Sequence, residues 1–128
     1  MSYYFTKELN ISFDDAIAKV TEELKKEGFG ILTDIDVKAT LKKKLDVDFH
    51  PYRILGACNP PFAFQALQTE DKIGTMLPCN VVVQKKTPGK VEVTSIDPVA
   101  SMAAVNNPNL RTVGEQVREK LKRVIDNM

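Results

Sequence analysis

The sequence predicts an α+β fold: a mostly antiparallel sheet with two long helices on one face and short helices inserted between strands. Three observations carry this. First, two stretches draw an apolar stripe at helical spacing, one near each end of the chain: Phe13, Ile17, Val20 and Leu24, then Leu110, Val113, Val117, Leu121, Val124 and Ile125. Second, five β-rich runs lie before and between them, too closely spaced for long crossover helices. Third, Thr87-Pro88-Gly89-Lys90 has the chemistry of a tight turn, because proline presets φ and glycine supplies a positive one. The strands flanking that turn must run antiparallel. At 128 residues the chain is expected to form a single domain over 1–128.

Each element has its own signal. Tyr3 to Glu8 is β-rich, with Tyr3 and Phe5 on one face and Tyr4 and Thr6 on the other. Ser12 is a good N-cap, Asp14 and Asp15 suit a first helical turn, and Gly28 sits where a helix ends. Glu22, Glu23, Lys25, Lys26 and Glu27 fall off the apolar stripe of that helix. Phe29, Ile31, Ile35 and Val37 then mark a strand. Asp36 caps a short helix running to Leu45, with Val37, Leu41 and Leu45 expected to face inward. After a connection that holds the only histidine, His50, the run Tyr52–Cys58 is a strand. Asn59 is an expected N-cap with Pro60 at the first helical position, where a missing N–H costs nothing. Ile73 to Pro78 leads into a strand over Cys79–Lys86, whose hairpin partner is Val91–Ile96. Asp97-Pro98 opens a short helix with Val99, Met102 and Ala103 inside, and Asn106 to Asn109 breaks the chain before the longest helix.

Composition narrows the function classes. Hydrophobic residues make up 43% and charged residues 27%, and the formal charge is +1. A nucleic-acid or membrane-surface binder normally carries a clear basic excess, so neither partner is expected. The groups Lys25-Lys26, Lys42-Lys43-Lys44 and Lys85-Lys86 have acidic residues interspersed around them and read as solvated faces. No basic segment precedes a long apolar run, and no apolar run approaches the roughly 20 residues of a membrane span. A cytoplasmic location, with both cysteines reduced, is the expectation.

The chemistry concentrates between Ile54 and Val83. Both cysteines lie there, each followed by an asparagine and each pair touching a proline: Cys58-Asn59-Pro60 and Pro78-Cys79-Asn80. If the strand Tyr52–Cys58 pairs antiparallel with Cys79–Lys86, the end of one lies beside the start of the other. Cys58 and Cys79 then become neighbours. A cysteine just ahead of a helix N-terminus meets N–H groups that favour a thiolate, which makes Cys58 the candidate for activation and Cys79 its resolving thiol. The competing account is that both are small buried hydrophobes. A structural zinc site wants four N or S ligands, and Cys58, Cys79 and His50 supply at most three. A two-thiolate Cu(I) site remains chemically open. Asn59 and Asn80 can bond a ligand or serve turns; Gly56 marks a close backbone approach or a bulge. Phe62 and Phe64 are two apart, so one helix cannot bury both against one surface.

The motifs Gly56-Ala57-Cys58-Asn59-Pro60 and Met76-Leu77-Pro78-Cys79-Asn80-Val81-Val82-Val83, with the runs Ile35–Lys42 and Pro51–Pro60 and Asp97-Pro98, resemble the uncharacterised prokaryotic family called domain of unknown function three hundred and two. The resemblance extends over nearly the whole chain. It implies a fold like that of the TATA-box-binding protein, in the order strand, helix, four strands, helix, and a homodimer. It carries no reaction and no DNA binding, since a shared fold is not a shared function.

No nucleophile–histidine–acid set, phosphate-binding glycine loop or dinucleotide fingerprint is present. The leading expectation is therefore a binding or accessory domain, with an enzyme the less favoured class. Its ligand or thiol patch would comprise Gly56, Cys58, Asn59, Pro78, Cys79 and Asn80, with a possible small-molecule ligand and no cofactor assigned. The alternatives are a thiol/disulfide enzyme or a soft-metal carrier using Cys58 and Cys79.

Overall fold

The computed structural model describes residues 2–128. Strand β1 (Tyr4–Leu9) leads to helix α1 (Phe13–Lys26), strand β2 (Gly30–Asp36), helix α2 (Val37–Leu45) and strand β3 (Tyr52–Cys58). Helix α3 (Pro60–Thr69) and a 3-10 helix (Asp71–Met76) precede strands β4 (Cys79–Thr87) and β5 (Lys90–Ile96). Helices α4 (Pro98–Ser101) and α5 (Pro108–Asp126) close the chain. The five strands form one sheet in the order β1-β5-β4-β3-β2, with every neighbouring pair antiparallel. The predicted α+β class, element order and antiparallel sheet are those observed.

The local chemistry explains the boundaries. Ser12 Oγ accepts from the Asp15 N–H at 3.0 Å, Asp36 Oδ1 from Ala39 N–H at 2.9 Å, and Asp97 Oδ1 from Val99 N–H at 3.0 Å. Each satisfies one of the orphan donors at a helix start, an interaction worth about 1 kcal/mol. Asn107 caps α5 in the same way through Asn109 and Leu110. Helices α1 and α5 cover one face of the sheet. Their Ala16, Val20, Leu24, Leu121 and Val124 are buried against Leu55, Val81, Val83, Val91 and Val93. Full burial of each such aliphatic side chain contributes roughly 1.5–3 kcal/mol, before the entropy cost of ordering it.

Three expectations need correction. Glu23, expected off the apolar stripe, is buried, because α1 packs on α5 as well as on the sheet, which widens its covered arc. Its carboxylate accepts from Lys26 Nζ at 2.9 Å. Helix α2 buries none of its residues, and Leu45 is 66% exposed, so Val37, Leu41 and Leu45 form no core stripe. This short, lysine-rich helix packs mainly on β3 and β2 and does not reach the α1–α5 core. The lead-in to β4 is a 3-10 helix that buries Ile73, and Ala103 is exposed past the end of the four-residue α4. His50 lies in the connection, stacked on Phe49 at 4.2 Å between ring centres, with Nε2 3.0 Å from Gln84 Oε1.

Candidate functional site

The β3–β4 pairing brings the two cysteine motifs together. Ala57 is the direct partner of Cys79, and Cys58 lies one residue beyond. Successive residues of a pleated strand project to opposite faces, so at this strand end Cys58 departs from the face that holds Ala57 and Cys79, and the two cysteines are neighbours along the sheet edge without being a same-face pair. Both are free thiols, not a disulfide pair. Cys79 is only 8% exposed, and burial pushes its thiol up to about 11, with the nearby Cys58 adding to the rise. A buried sulfur held neutral behaves as a small hydrophobe.

Gly56 lies at a crossing of three segments. The β2–β3 register shifts between Ile31 and Thr33, which leaves Leu32 as the extra residue of a bulge. A Cβ on Gly56 would stand 2.1 Å from Thr33 Oγ1 and 2.6 Å from Pro78 Cγ. Only glycine lets Thr33 and Pro78 approach β3 this closely. The Leu77–Pro78 peptide bond is cis.

Asn59 occupies the N-cap position of α3, but its side chain makes no cap hydrogen bond. The first two helical residues are Pro60 and Pro61, and neither has an N–H to offer. The Ala63 N–H bonds the Asn59 carbonyl at 2.9 Å, so the donors expected to face Cys58 at this helix start are largely missing. Asn59 instead donates from Nδ2 to the Glu27 carbonyl at 3.1 Å, tying the start of α3 to the end of α1. Gly28, at φ 88°, makes this crossing possible: the left-handed backbone suits glycine, and a Cβ there would sit 3.2 Å from Asn59 Nδ2.

Beside these residues is a cavity of about 280 Å³. Ala57, Cys58, Pro78 and Cys79 come from the sheet end, and Asn59, Phe62, Ala63, Ala66 and Leu67 from α3 and its entry. Leu110, Val113, Gly114 and Val117 of α5 and Pro98 and Met102 at α4 close the far side; Phe29, Leu32 and Leu77 complete the wall. Asn59 is the one amide or charged side chain among them. Phe62 is half-buried in this wall, whereas Phe64, two residues on, is 63% exposed.

Four of the six residues singled out from sequence therefore line one cavity: Cys58, Asn59, Pro78 and Cys79. Gly56 shapes its edge without lining it. Asn80, the partner of Gly56, is exposed and does not line it. His50 precedes the opposite end of β3, about 25 Å along an extended chain from Cys58. Among the described residues no group of three or more His, Cys, Asp or Glu side chains could hold a metal ion. None of their helices is long and apolar enough to cross a membrane. Sequence reasoning missed the helical wall. Val113, Val117 and Met102 were legible as inward residues, but apolar periodicity does not say whether the space they face is filled.

Comparison with known proteins adds a family and a structure. The family model described as "Domain of unknown function DUF302" matches residues 5–128. The chain is similar to a crystal structure described as an uncharacterized conserved DUF302 protein from Bacillus stearothermophilus, with 28% identity, 98% of each chain covered and a TM-score of 0.90. No curated protein gives a significant match.

Proposed function

The chain belongs to the DUF302 family, whose description names no activity, and we propose that it is a binding protein that takes a small apolar molecule into the cavity beside Cys58 and Cys79. One observation carries this reading: a space of about 280 Å³ walled almost entirely by apolar side chains. The space is partly open at the surface, which gives a ligand a way in. An apolar cavity of about 150 Å³ stays dry and accepts benzene, so this one has room for about two fused rings or a short alkyl chain. Ligand pockets have the same character, mostly apolar with a few polar groups. The two sulfurs serve as polarizable wall atoms, and Asn59 holds the wall together through Glu27.

The same features weigh against the thiol/disulfide alternative. Its resolving thiol would be Cys79, which is buried and neutral until well above physiological pH. A soft-metal site would have two sulfurs and, among the described residues, no third His, Cys, Asp or Glu side chain grouped with them. A homodimer belongs to the proposal as well: exposed Leu45, Val47 and Phe49 would lose apolar surface on self-association. Sedimentation showing a monomer at about 100 µM would remove that part.

Titration with naphthalene, followed by methyl NMR shifts of Val113, Val117 and Leu67, tests the binding reading. Saturable shifts confined to the cavity are expected, and Ala63→Phe, which puts a ring into the space, should abolish them. Shifts that never saturate, or that survive in Ala63→Phe, would overturn it.

A further inference from the structure

A second cavity, of about 650 Å³, lies between α4 and α5 and shares Pro98, Met102, Leu110 and Gly114 with the first. Its character is different. Beyond the shared residues it is lined by Asp97, Arg111, Glu115, Arg118 and Glu119 together with small apolar groups. Arg118 Nε donates to Asp97 Oδ2 at 3.1 Å and its Nη1 to Glu119 Oε1 at 3.2 Å, while Arg111 Nε donates to Glu115 Oε1 at 3.2 Å. Both guanidiniums are thus already paired. Three carboxylates stand against two cations, leaving one negative charge in excess.

Gly114 sits between the cavities, in the interior of the 19-residue α5. Glycine destabilises a helix interior relative to alanine. A Cβ there would meet only Val99 Cγ2 at 3.9 Å, an ordinary contact, so the packing of α4 on α5 does not require glycine. The missing side chain keeps the shared wall thin, and the rest of that wall includes Met102, a flexible side chain that can change rotamer.

Building on the apolar cavity as a ligand site, we propose that the two cavities form one bipartite site for an elongated amphipathic molecule. Its alkyl or aromatic tail lies toward Phe62, Cys58 and Cys79. Its head occupies the space between α4 and α5 and carries hydrogen-bond donors without negative charge, as a hydroxyl, an amide or an ammonium does. The excess carboxylate selects such a head, since bringing a second anion into the site would set like charges together.

Calorimetric titration of the full chain with octylammonium, 1-octanol and octanoate, with naphthalene as tail-only control, tests this. Octylammonium and 1-octanol should bind at least tenfold more tightly than octanoate. The double variant Glu115→Lys with Glu119→Lys should reverse that order while leaving naphthalene binding within about twofold. Gly114→Leu, which thickens the wall, should weaken octylammonium more than naphthalene. Equal binding of the three octyl compounds, or an order unchanged by the charge reversal, would overturn the bipartite site while naphthalene binding still upheld the apolar cavity. Loss of naphthalene binding in the unmodified protein would remove both.

Discussion

Replacing Gly56 by alanine probes the packing that shapes the sheet end beside the cavity. The added methyl would lie 2.1 Å from Thr33 Oγ1 and 2.6 Å from Pro78 Cγ. Thr33 can relieve its contact by turning about χ1. The ring of Pro78 has no such freedom and must move with the backbone that starts β4. Overpacking of a well-fitted interior costs typically about 1–3 kcal/mol, and a clash against a ring favours the upper part, about 2–3 kcal/mol. An unfolding entropy near 2.1 cal/mol/K per residue gives about 0.27 kcal/mol/K for a chain of 128 residues. The expected fall in Tm is therefore about 7–11 °C. Urea denaturation followed by circular dichroism measures the free energy directly. In a Thr33→Ala background the Gly56→Ala cost should shrink but stay above about 1 kcal/mol, because Pro78 is still in place; the difference is the Thr33 coupling. A Gly56→Ala protein within about 0.5 kcal/mol of the original would refute the close-approach account of this glycine.

Two further outcomes follow from the same end of the sheet. Asn59→Asp should destabilise the fold by about 1–3 kcal/mol at neutral pH and by more than Asn59→Ala, since it replaces the donor to the Glu27 carbonyl with a charged acceptor; equal stabilities of the two variants by urea titration would contradict the bond. Cys79 should make stability fall at alkaline pH. Its folded-state pKa, about 11, lies above the ordinary value of 9.0, so the thiol's contribution is complete below pH 9 and is lost as pH rises from 9 through about 11. Two units correspond to roughly 2–3 kcal/mol, read as the difference between the pH profiles of the original protein and Cys79→Ala; parallel profiles would sink this. At pH 8 iodoacetamide should modify Cys79 only as fast as the chain opens.

Much of the fold is legible because its signals are local. The stripes of α1 and α5, the Thr87–Lys90 turn and the Ser12, Asp36 and Asp97 caps depend on residues within a few positions of one another, and each does in the structure what its spacing implies. Asn59 is the instructive exception. Asp97-Pro98 and Asn59-Pro60 look alike, yet Asp97 caps and Asn59 does not. The difference is Pro61: at the corresponding position Val99 has an N–H for Asp97 to accept, whereas Pro61 has none. That half of the explanation lies in the sequence. The bond to the Glu27 carbonyl, 32 residues away, does not.

By itself, then, the sequence determined most of the secondary elements and the β4–β5 hairpin, because periodicity, caps and turns act over short chain distances; the nearness of Cys58 to Cys79 depended on an antiparallel β3–β4 pairing that the tertiary structure supplied. The tertiary structure alone decided what those cysteines border. Whether three helices and a sheet end close tightly or leave 280 Å³ between them depends on how side chains from Phe29 to Val117 meet in space. An apolar residue facing a cavity satisfies the same pattern as one facing a packed core.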